Sequence, residues 1–112
     1  MELELIHHQP KKIKFQHPLL FLHGAYSGAW CWEEHFLEYF NSIGFECIAL
    51  SLRGHGGSDS EQPLDQLSLK DYQDDLFPVI DTCSTSPVVI GHSMGGYLLQ
   101  QIQHSETFMP QF

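Results

Sequence analysis

At 112 residues the chain is long enough for one domain, at the small end for a domain built on a large sheet. Its hydrophobic content of 42% and aromatic content of 12% indicate a packed core. Fourteen acidic residues against five basic ones give a formal net charge of −9, which argues against nucleic acid or an anionic membrane surface as a partner.

The cysteines and the first residues favour a cytoplasmic location. Cys31, Cys47 and Cys83 form no CxxC pair, and such an odd, sparse set is typical of free thiols in a reducing compartment. The start of the chain has no basic segment followed by an apolar run, so no signal peptide is predicted. No apolar stretch approaches the roughly 20 residues that span a bilayer, so no membrane span is expected.

The first part of the chain predicts a hairpin followed by a buried strand. Apolar and polar residues alternate over residues 2–7 and again over residues 12–16, with a turn at residues 9–11 between them. We therefore expect an antiparallel hairpin at the edge of a sheet. The continuous apolar run at residues 19–22 is typical of a strand covered on both faces.

A helix and a further strand are predicted next. Apolar residues recur at helical spacing over residues 30–43, and Gly44 is a natural stop for that helix. Residues 45–50 read as a strand, and a polar, Gly-rich loop follows over residues 51–66.

The last part of the chain repeats the alternation of helix and strand. Ser68 and Asp71 form a capping box for a helix to about Cys83, which Pro78 should kink. A buried strand at residues 87–90 and another helical pattern come after it. The order predicts an α/β fold with a mostly parallel sheet and flanking helices, where ligands bind at the carboxyl ends of the strands.

The most informative stretch for chemistry is the Gly-x-Ser-x-Gly pattern centred on Ser93. A serine at a very tight turn between a strand and a helix has its hydroxyl pushed clear of the backbone, and the flanking Gly91 and Gly95 keep the turn free of side chains. The helix that begins there points its free N–H groups at the reaction site. The alternative is a Gly-rich turn with an incidental serine.

Three motifs, at residues 23–30, 52–58 and 91–96, occur in an order and spacing that resemble the N-terminal half of an α/β-hydrolase, the serine esterase and lipase superfamily. The resemblance extends to about His104 and is closest to the lysophospholipase-like and small esterase branch.

The resemblance implies a role for each matched residue. Ser93 matches the nucleophile, and the backbone N–H groups of Ala25 and Met94 match the two oxyanion-hole donors. No metal or cofactor is implied, and the substrate would be a small-molecule ester or an acyl lipid. The matched structural positions are His23, Gly24, Gly91 and Gly95.

Two departures from the family pattern change this expectation. Ser51 stands where many relatives carry Asp. In the family a catalytic Asp or Glu and then a His follow the nucleophile, whereas here only residues 94–112 follow Ser93 and contain no matching motif. The resemblance therefore implies a single, incomplete α/β-hydrolase domain over residues 1–112, truncated after the helix that follows Ser93. Its last strand, at residues 88–90, would be an open sheet edge.

No substitute for the missing base is predicted within the chain. His92 should leave the turn in another direction, His104 lies some three turns down the helix, and His55 belongs to a different loop. Each is interpreted as a solvated or hydrogen-bonded histidine. The aspartates are interpreted as a solvated acidic set: Asp59, Asp65, Asp71, Asp74, Asp75 and Asp81.

Three functional hypotheses follow. The first is a serine hydrolase acting on carboxylic or lipid acyl esters, with thioester, carbon–carbon bond and cofactor-free peroxidase chemistry still open. The second is a catalytically inactive fragment, or half of a split enzyme whose complementary C-terminal half supplies the Asp and the His. The third is a binding module that keeps the oxyanion loop as a ligand pocket without turnover.

Overall fold

In the computed structural model the chain is described over residues 2–63 and 66–103, apart from the side chains of residues 34, 102 and 103. These residues form four strands: Leu5–His8 (β1), Leu19–Leu22 (β2), Cys47–Leu50 (β3) and Val88–Gly91 (β4). A helical segment begins as a 3₁₀ turn at Ala29–Trp32, continues as a π-helical turn at Glu33–Leu37 and ends as the α-helix Glu38–Ser42 (α1). The two longer helices are Leu69–Thr82 (α2) and Met94–Gln103 (α3).

The strands form one mixed sheet in the order β1-β3-β2-β4. The strands β2, β3 and β4 are parallel, with Leu20 opposite Ile48 on one side and Val89 on the other. Only β1 runs antiparallel within the described residues, and its Ile6 lies opposite Ala49. The predicted mostly parallel sheet is confirmed, and β1 and β4 are its edges in the described part of the chain.

The predicted N-terminal hairpin is wrong. Residues 12–16 form no strand, and β1 pairs with β3 instead. The alternation in this segment has another cause, because Lys14 N donates to Gly44 O at 3.0 Å and the Phe15 ring stacks on Phe45 with ring centroids 4.0 Å apart. The segment thus covers the end of the helical segment and the entry to β3.

The apolar run of β2 is buried on both faces of the sheet, as its composition predicts. Leu20 and Leu22 pack beneath α2 and α3, whereas Leu19 and Phe21 pack beneath the helical segment of residues 29–42. Successive side chains of a strand point to opposite faces, so this one strand anchors both halves of the core.

The predicted capping box of α2 is confirmed. Asp71 N donates to the Ser68 side chain, and Ser68 N donates to the Asp71 carboxylate at 2.9 Å. Pro78 lies inside this helix. Across residues 2–63 and 66–103, no helix combines the length and the apolar character needed to cross a bilayer.

The interpretation of Asp75 as a solvated residue is wrong. Its side chain is only 1% exposed, and its carboxylate accepts hydrogen bonds from Arg53 N at 2.9 Å and from the Arg53 guanidinium at 2.8 and 3.0 Å. This pairing raises the pKa of Arg53 still further. The ion pair joins the loop after β3 to the middle of α2.

Candidate active site

Ser93 lies on the turn between β4 and α3, with a backbone φ of +56°. That left-handed conformation is uncommon for a residue with a Cβ atom. The turn is held by hydrogen bonds from His92 N to Leu22 O at 3.1 Å, from Gly95 N to His92 O at 3.0 Å and from Tyr97 N to Ser93 O at 3.0 Å. The serine itself is exposed, so the local geometry is that expected of a nucleophile elbow.

Three glycines give this turn the space it needs. A Cβ atom at Gly91 would lie 2.6 Å from the carbonyl carbon of Gly95, and one at Gly95 would lie 2.7 Å from Leu22 O. A Cβ atom at Gly24 would lie 3.2 Å from the Cβ of Ser93. The glycines therefore let β4, α3 and the loop after β2 meet at the serine.

The loop after β2 brings Ala25 beside the start of α3. Tyr26 in this loop has a φ of +60°, and Ser27 N donates to Gly24 O at 3.3 Å. Ala25 and Met94 both line a cavity of about 250 Å³, here called the side cavity. Within the described residues the N–H groups of Ala25 and Met94 donate no hydrogen bond. In this part of the chain, neither N–H group therefore has a competing acceptor. The complete lining of the side cavity is Ala25, Tyr26, His55, Leu67, Ser68, Leu69, Tyr72 and Met94.

His23 is fully buried, and both of its ring nitrogens are engaged. Nε2 accepts from Leu52 N at 2.9 Å, so the proton is on Nδ1, which donates to Gly24 O at 2.6 Å. Burial lowers the pKa of His23, and the nearby His55 lowers it further, although the hydrogen bond to Gly24 opposes the shift. The neutral ring ties the loop after β2 to the end of β3 and has no lone pair left for Ser93.

A second set of hydrogen bonds that joins distant segments involves Ser51, the position where the sequence departs from many relatives. Ser51 Oγ accepts from Ala29 N at 2.9 Å and donates to Glu4 Oε1 at 2.7 Å. The Glu4 carboxylate also accepts from Gly57 N at 2.9 Å. The Gly57 and Ser51 hydrogen bonds lower the pKa of Glu4. The carboxylate in this region thus comes from Glu4, a residue that sequence reasoning placed only as an exposed strand position.

His55 lies closer to the site than its place on a separate loop suggested. Its side chain is 5% exposed and lines the side cavity together with Ala25 and Met94. Its ring centroid is 5.0 Å from that of His23, and its Nδ1 donates to Arg53 O at 3.0 Å. The interpretation as a hydrogen-bonded histidine therefore holds, but its position near the elbow was missed.

No histidine among the described residues forms a hydrogen bond with the Ser93 hydroxyl. The His92 ring instead lies edge-on to Trp32, with centroids 6.5 Å apart. His104 lies outside the described residues. The same part of the chain contains no group of three or more His, Cys, Asp or Glu side chains placed to hold a metal ion.

Two of the cysteines, Cys47 and Cys83, are poorly suited to act as nucleophiles in place of the serine. All three are free thiols. Burial and the neighbouring Glu46 carboxylate raise the pKa of Cys47 to about 11, and burial also raises the pKa of Cys83. Since the thiolate is the reactive form, these two residues are inert at neutral pH.

A larger cavity, of about 540 Å³, lies at the end of the sheet opposite to Ser93. Its lining includes His8, Lys12 and Gly44. His8 is paired with Cys47, the first residue of β3, so this cavity lies at the amino ends of the parallel strands. Ser93 follows the carboxyl end of β4, where ligands of such sheets bind.

Comparison with known proteins agrees with this geometry. A model of the α/β-hydrolase family matches residues 19–109. The chain is 33% identical over 81 residues to epoxide hydrolase 3 of Xenopus tropicalis, covering 71% of this chain and 22% of that protein. It is 30% identical over 86 residues to methyl jasmonate esterase 1 of Vitis vinifera, covering 74% of this chain and 32% of that protein.

The fold is shared with solved structures. A probable hydrolytic enzyme from Pseudomonas aeruginosa superposes with a TM-score of 0.77 at 24% identity, over 90% of this chain and 32% of that one. The chain belongs to the α/β-hydrolase family. It spans about a fifth to a third of the length of the curated relatives it matches.

Proposed function

We propose that this chain carries the nucleophile and oxyanion-binding part of a serine hydrolase site for carboxylic esters. One observation supports this most strongly. Ser93 is held at a φ of +56° between β4 and α3, beside a cavity that Ala25 and Met94 both line. A serine nucleophile with two nearby N–H donors suits attack on a carbonyl carbon, because the carbonyl oxygen becomes an oxyanion.

The reaction would proceed in two steps. Ser93 Oγ attacks the ester carbonyl, the tetrahedral oxyanion accepts hydrogen bonds from Ala25 N and Met94 N, and the alcohol leaves with a proton. Water then hydrolyses the acyl-enzyme. The amino end of α3 adds a favourable dipole at the developing negative charge.

The proton of Ser93 requires a base that the described residues do not place beside it. A serine hydroxyl is a poor nucleophile without a histidine that is itself oriented by an acid. We propose that these two groups come from a complementary C-terminal half of the family fold. Within residues 2–63 and 66–103, β4 is an edge strand that shortly precedes Ser93, and a further strand could join the sheet there.

The test is hydrolysis of p-nitrophenyl acetate by the chain alone and by the chain co-expressed with the carboxyl-terminal part of a full-length α/β-hydrolase. We expect the chain alone to be no faster than its Ser93→Ala variant. The complemented chain should be faster, and the gain should vanish with Ser93→Ala. A gain that survives Ser93→Ala would overturn the role of Ser93.

A parallel assay with styrene oxide separates ester chemistry from epoxide opening, which the name of one relative raises. Ester hydrolysis without epoxide opening supports the proposal. Epoxide opening that depends on Ser93 would contradict the assigned substrate class.

A further inference from the structure

The side cavity beside the candidate reaction centre is lined by apolar and polar side chains without a formal acid, lysine or arginine. Leu67, Leu69 and Met94 supply apolar walls, and three aromatic side chains with polar groups, Tyr26, His55 and Tyr72, lie among them. Moving a charged group into such surroundings is costly. The cavity therefore favours a neutral ligand.

His55 is a lining residue of this cavity, and a hydrogen bond fixes the orientation of its ring. Its Nδ1 bonds to the Arg53 carbonyl oxygen at 3.0 Å. A carbonyl oxygen can only accept, so Nδ1 carries a proton, and in the singly protonated ring Nε2 is the nitrogen with a free lone pair. Nε2 has no hydrogen-bond partner within the described residues. The rings of His23 at 5.0 Å and Tyr72 at 5.9 Å, measured between centroids, hold the imidazole in place.

Tyr72 supplies a second polar group to the same cavity. Its side chain is 7% exposed, and within the described residues its hydroxyl forms no hydrogen bond. Burial raises the pKa of Tyr72, so the hydroxyl stays protonated and can donate. A few convergent polar groups in an otherwise apolar cavity are the usual composition of a small-molecule pocket.

We propose that the side cavity binds a neutral hydroxyl group of the ester substrate, which donates to His55 Nε2 and accepts from the Tyr72 hydroxyl. This inference rests on the proposed function, since it takes Ala25 N and Met94 N as the donors that hold the adjoining carbonyl. The volume of about 250 Å³ is below that of pockets for drug-sized ligands. The substrate class is therefore a short hydroxyacyl or hydroxyalkyl ester.

The experiment is a nuclear magnetic resonance titration of the chain labelled with ¹⁵N-histidine. Methyl 3-hydroxybutyrate is compared with methyl butyrate, which lacks only the hydroxyl. We expect the hydroxyl ester to bind about five- to a hundredfold more tightly, the range for two net hydrogen bonds, and to shift the His55 Nε2 resonance. Equal affinities, or no shift at His55 with either ester, would overturn the proposal.

Three variants assign the effect to the cavity. Tyr72→Phe and His55→Phe should each reduce the preference for the hydroxyl ester. Tyr97→Phe is the matched control, because Tyr97 is 52% exposed on α3 and lies outside the lining. Tyr72→Phe keeps the ring, so it remains informative if His55→Phe fails to fold. A Tyr72→Phe chain that retains the full preference would contradict the proposal.

The titration is independent of catalysis, so the two proposals can fail separately. It is run on the Ser93→Ala chain as well, where no reaction can occur through the serine. A preference that persists there while complemented hydrolysis is absent would refute the proposed chemistry alone. Hydrolysis that depends on Ser93 without any hydroxyl preference would refute the cavity proposal alone.

Discussion

Ser93 is the residue at which conformation and proposed chemistry are most closely linked. Its φ of +56° is a conformation that a Cβ atom disfavours. Strain of this kind persists only where the surroundings enforce it, and here Gly24, Gly91 and Gly95 let three elements close on the turn. The conformation that exposes the hydroxyl therefore reduces the stability of the fold.

Replacing Ser93 by glycine should relieve that strain. We expect Ser93→Gly to be more stable to urea than Ser93→Ala by about 1 kcal/mol, because alanine keeps the Cβ atom and glycine does not. Both variants lack the hydroxyl, so the comparison isolates the backbone. Equal unfolding free energies would mean that the turn is not strained at this residue.

His23 predicts a pH dependence of stability. Burial lowers its pKa in the folded chain below the ordinary 6.5, so between those two values the unfolded chain binds more protons. The stabilisation is therefore present above pH 6.5 and is lost as the pH falls through the folded pKa.

The measurement is the free energy of unfolding of the native chain and of His23→Gln between pH 7.5 and 5. The glutamine carboxamide offers one acceptor and a donor, as the neutral His23 ring does, but does not titrate in this range. We expect the native chain to lose more stability on acidification than the variant does. If the free energy of unfolding changed equally with pH in both chains, His23 would not contribute to the pH dependence of stability.

At the scale of elements, the strand and helix order follows from the sequence because the apolar patterns are strong. The run at residues 19–22 and the capping box at Ser68 and Asp71 are local signals, and each forms as expected. The hairpin was wrong because the alternation in residues 12–16 reflects packing against Gly44 and Phe45, which only the folded chain brings near.

In the candidate site, too, features set by neighbouring residues could be predicted, whereas contacts between distant segments could not. The Gly-x-Ser-x-Gly motif specifies its own turn, so the conformation of Ser93 could be anticipated. The Asp75–Arg53 pair, the Glu4–Ser51 contact and the position of His55 each join segments distant in sequence. Helical spacing places Asp75 on the same face of α2 as Tyr72 and Val79, so its burial could have been predicted. No local pattern identifies the distant partner of any of these residues.

The junction of β4 with α3 gives a matched pair of glycine substitutions. We expect Gly95→Ala to destabilise the chain by more than about 2 kcal/mol, because its Cβ atom would meet Leu22 O at 2.7 Å and His23 O at 2.8 Å. Gly96→Ala is the control, since its nearest contact would be 3.5 Å, and alanine favours a helix. Chemical denaturation of both variants checks the difference. Equal losses of unfolding free energy in the two variants would show that the close approach of Gly95 to the end of β2 does not require glycine.

The ion pair between α2 and the loop after β3 gives a second element-scale prediction. We expect Asp75→Ala to cost about 3 kcal/mol, because it leaves the largely buried Arg53 guanidinium without its partner. Asp74→Ala, which removes the exposed pair with Lys70, should have no measurable effect. Thermal unfolding of the two variants makes the comparison. A mild effect of Asp75→Ala would mean that water or Asp71 compensates the arginine.

At the scale of the whole molecule, the sheet order places the proposed chemistry next to an edge. β4 ends the sheet in the described part of the chain, and Ser93 follows it directly. The β1 edge lies at the other end, beyond β3. A strand added beside β4 would therefore be the added element nearest to Ser93, and the loop after it could supply the proposed base or acid. The placement as lysophospholipase-like and the cytoplasmic location stay predictions.

The role of Ser93 as a nucleophile whose base lies elsewhere is tested by labelling with a fluorophosphonate probe, read by mass spectrometry of the peptide that contains residue 93. We predict no more labelling of the isolated chain than of its Ser93→Ala variant. Labelling at Ser93 should appear once a complementary C-terminal half is supplied. Labelling at Ser93 in the isolated chain would contradict the claim that its base comes from elsewhere. No labelling in a folded, complemented sample would contradict the role of Ser93 as the nucleophile.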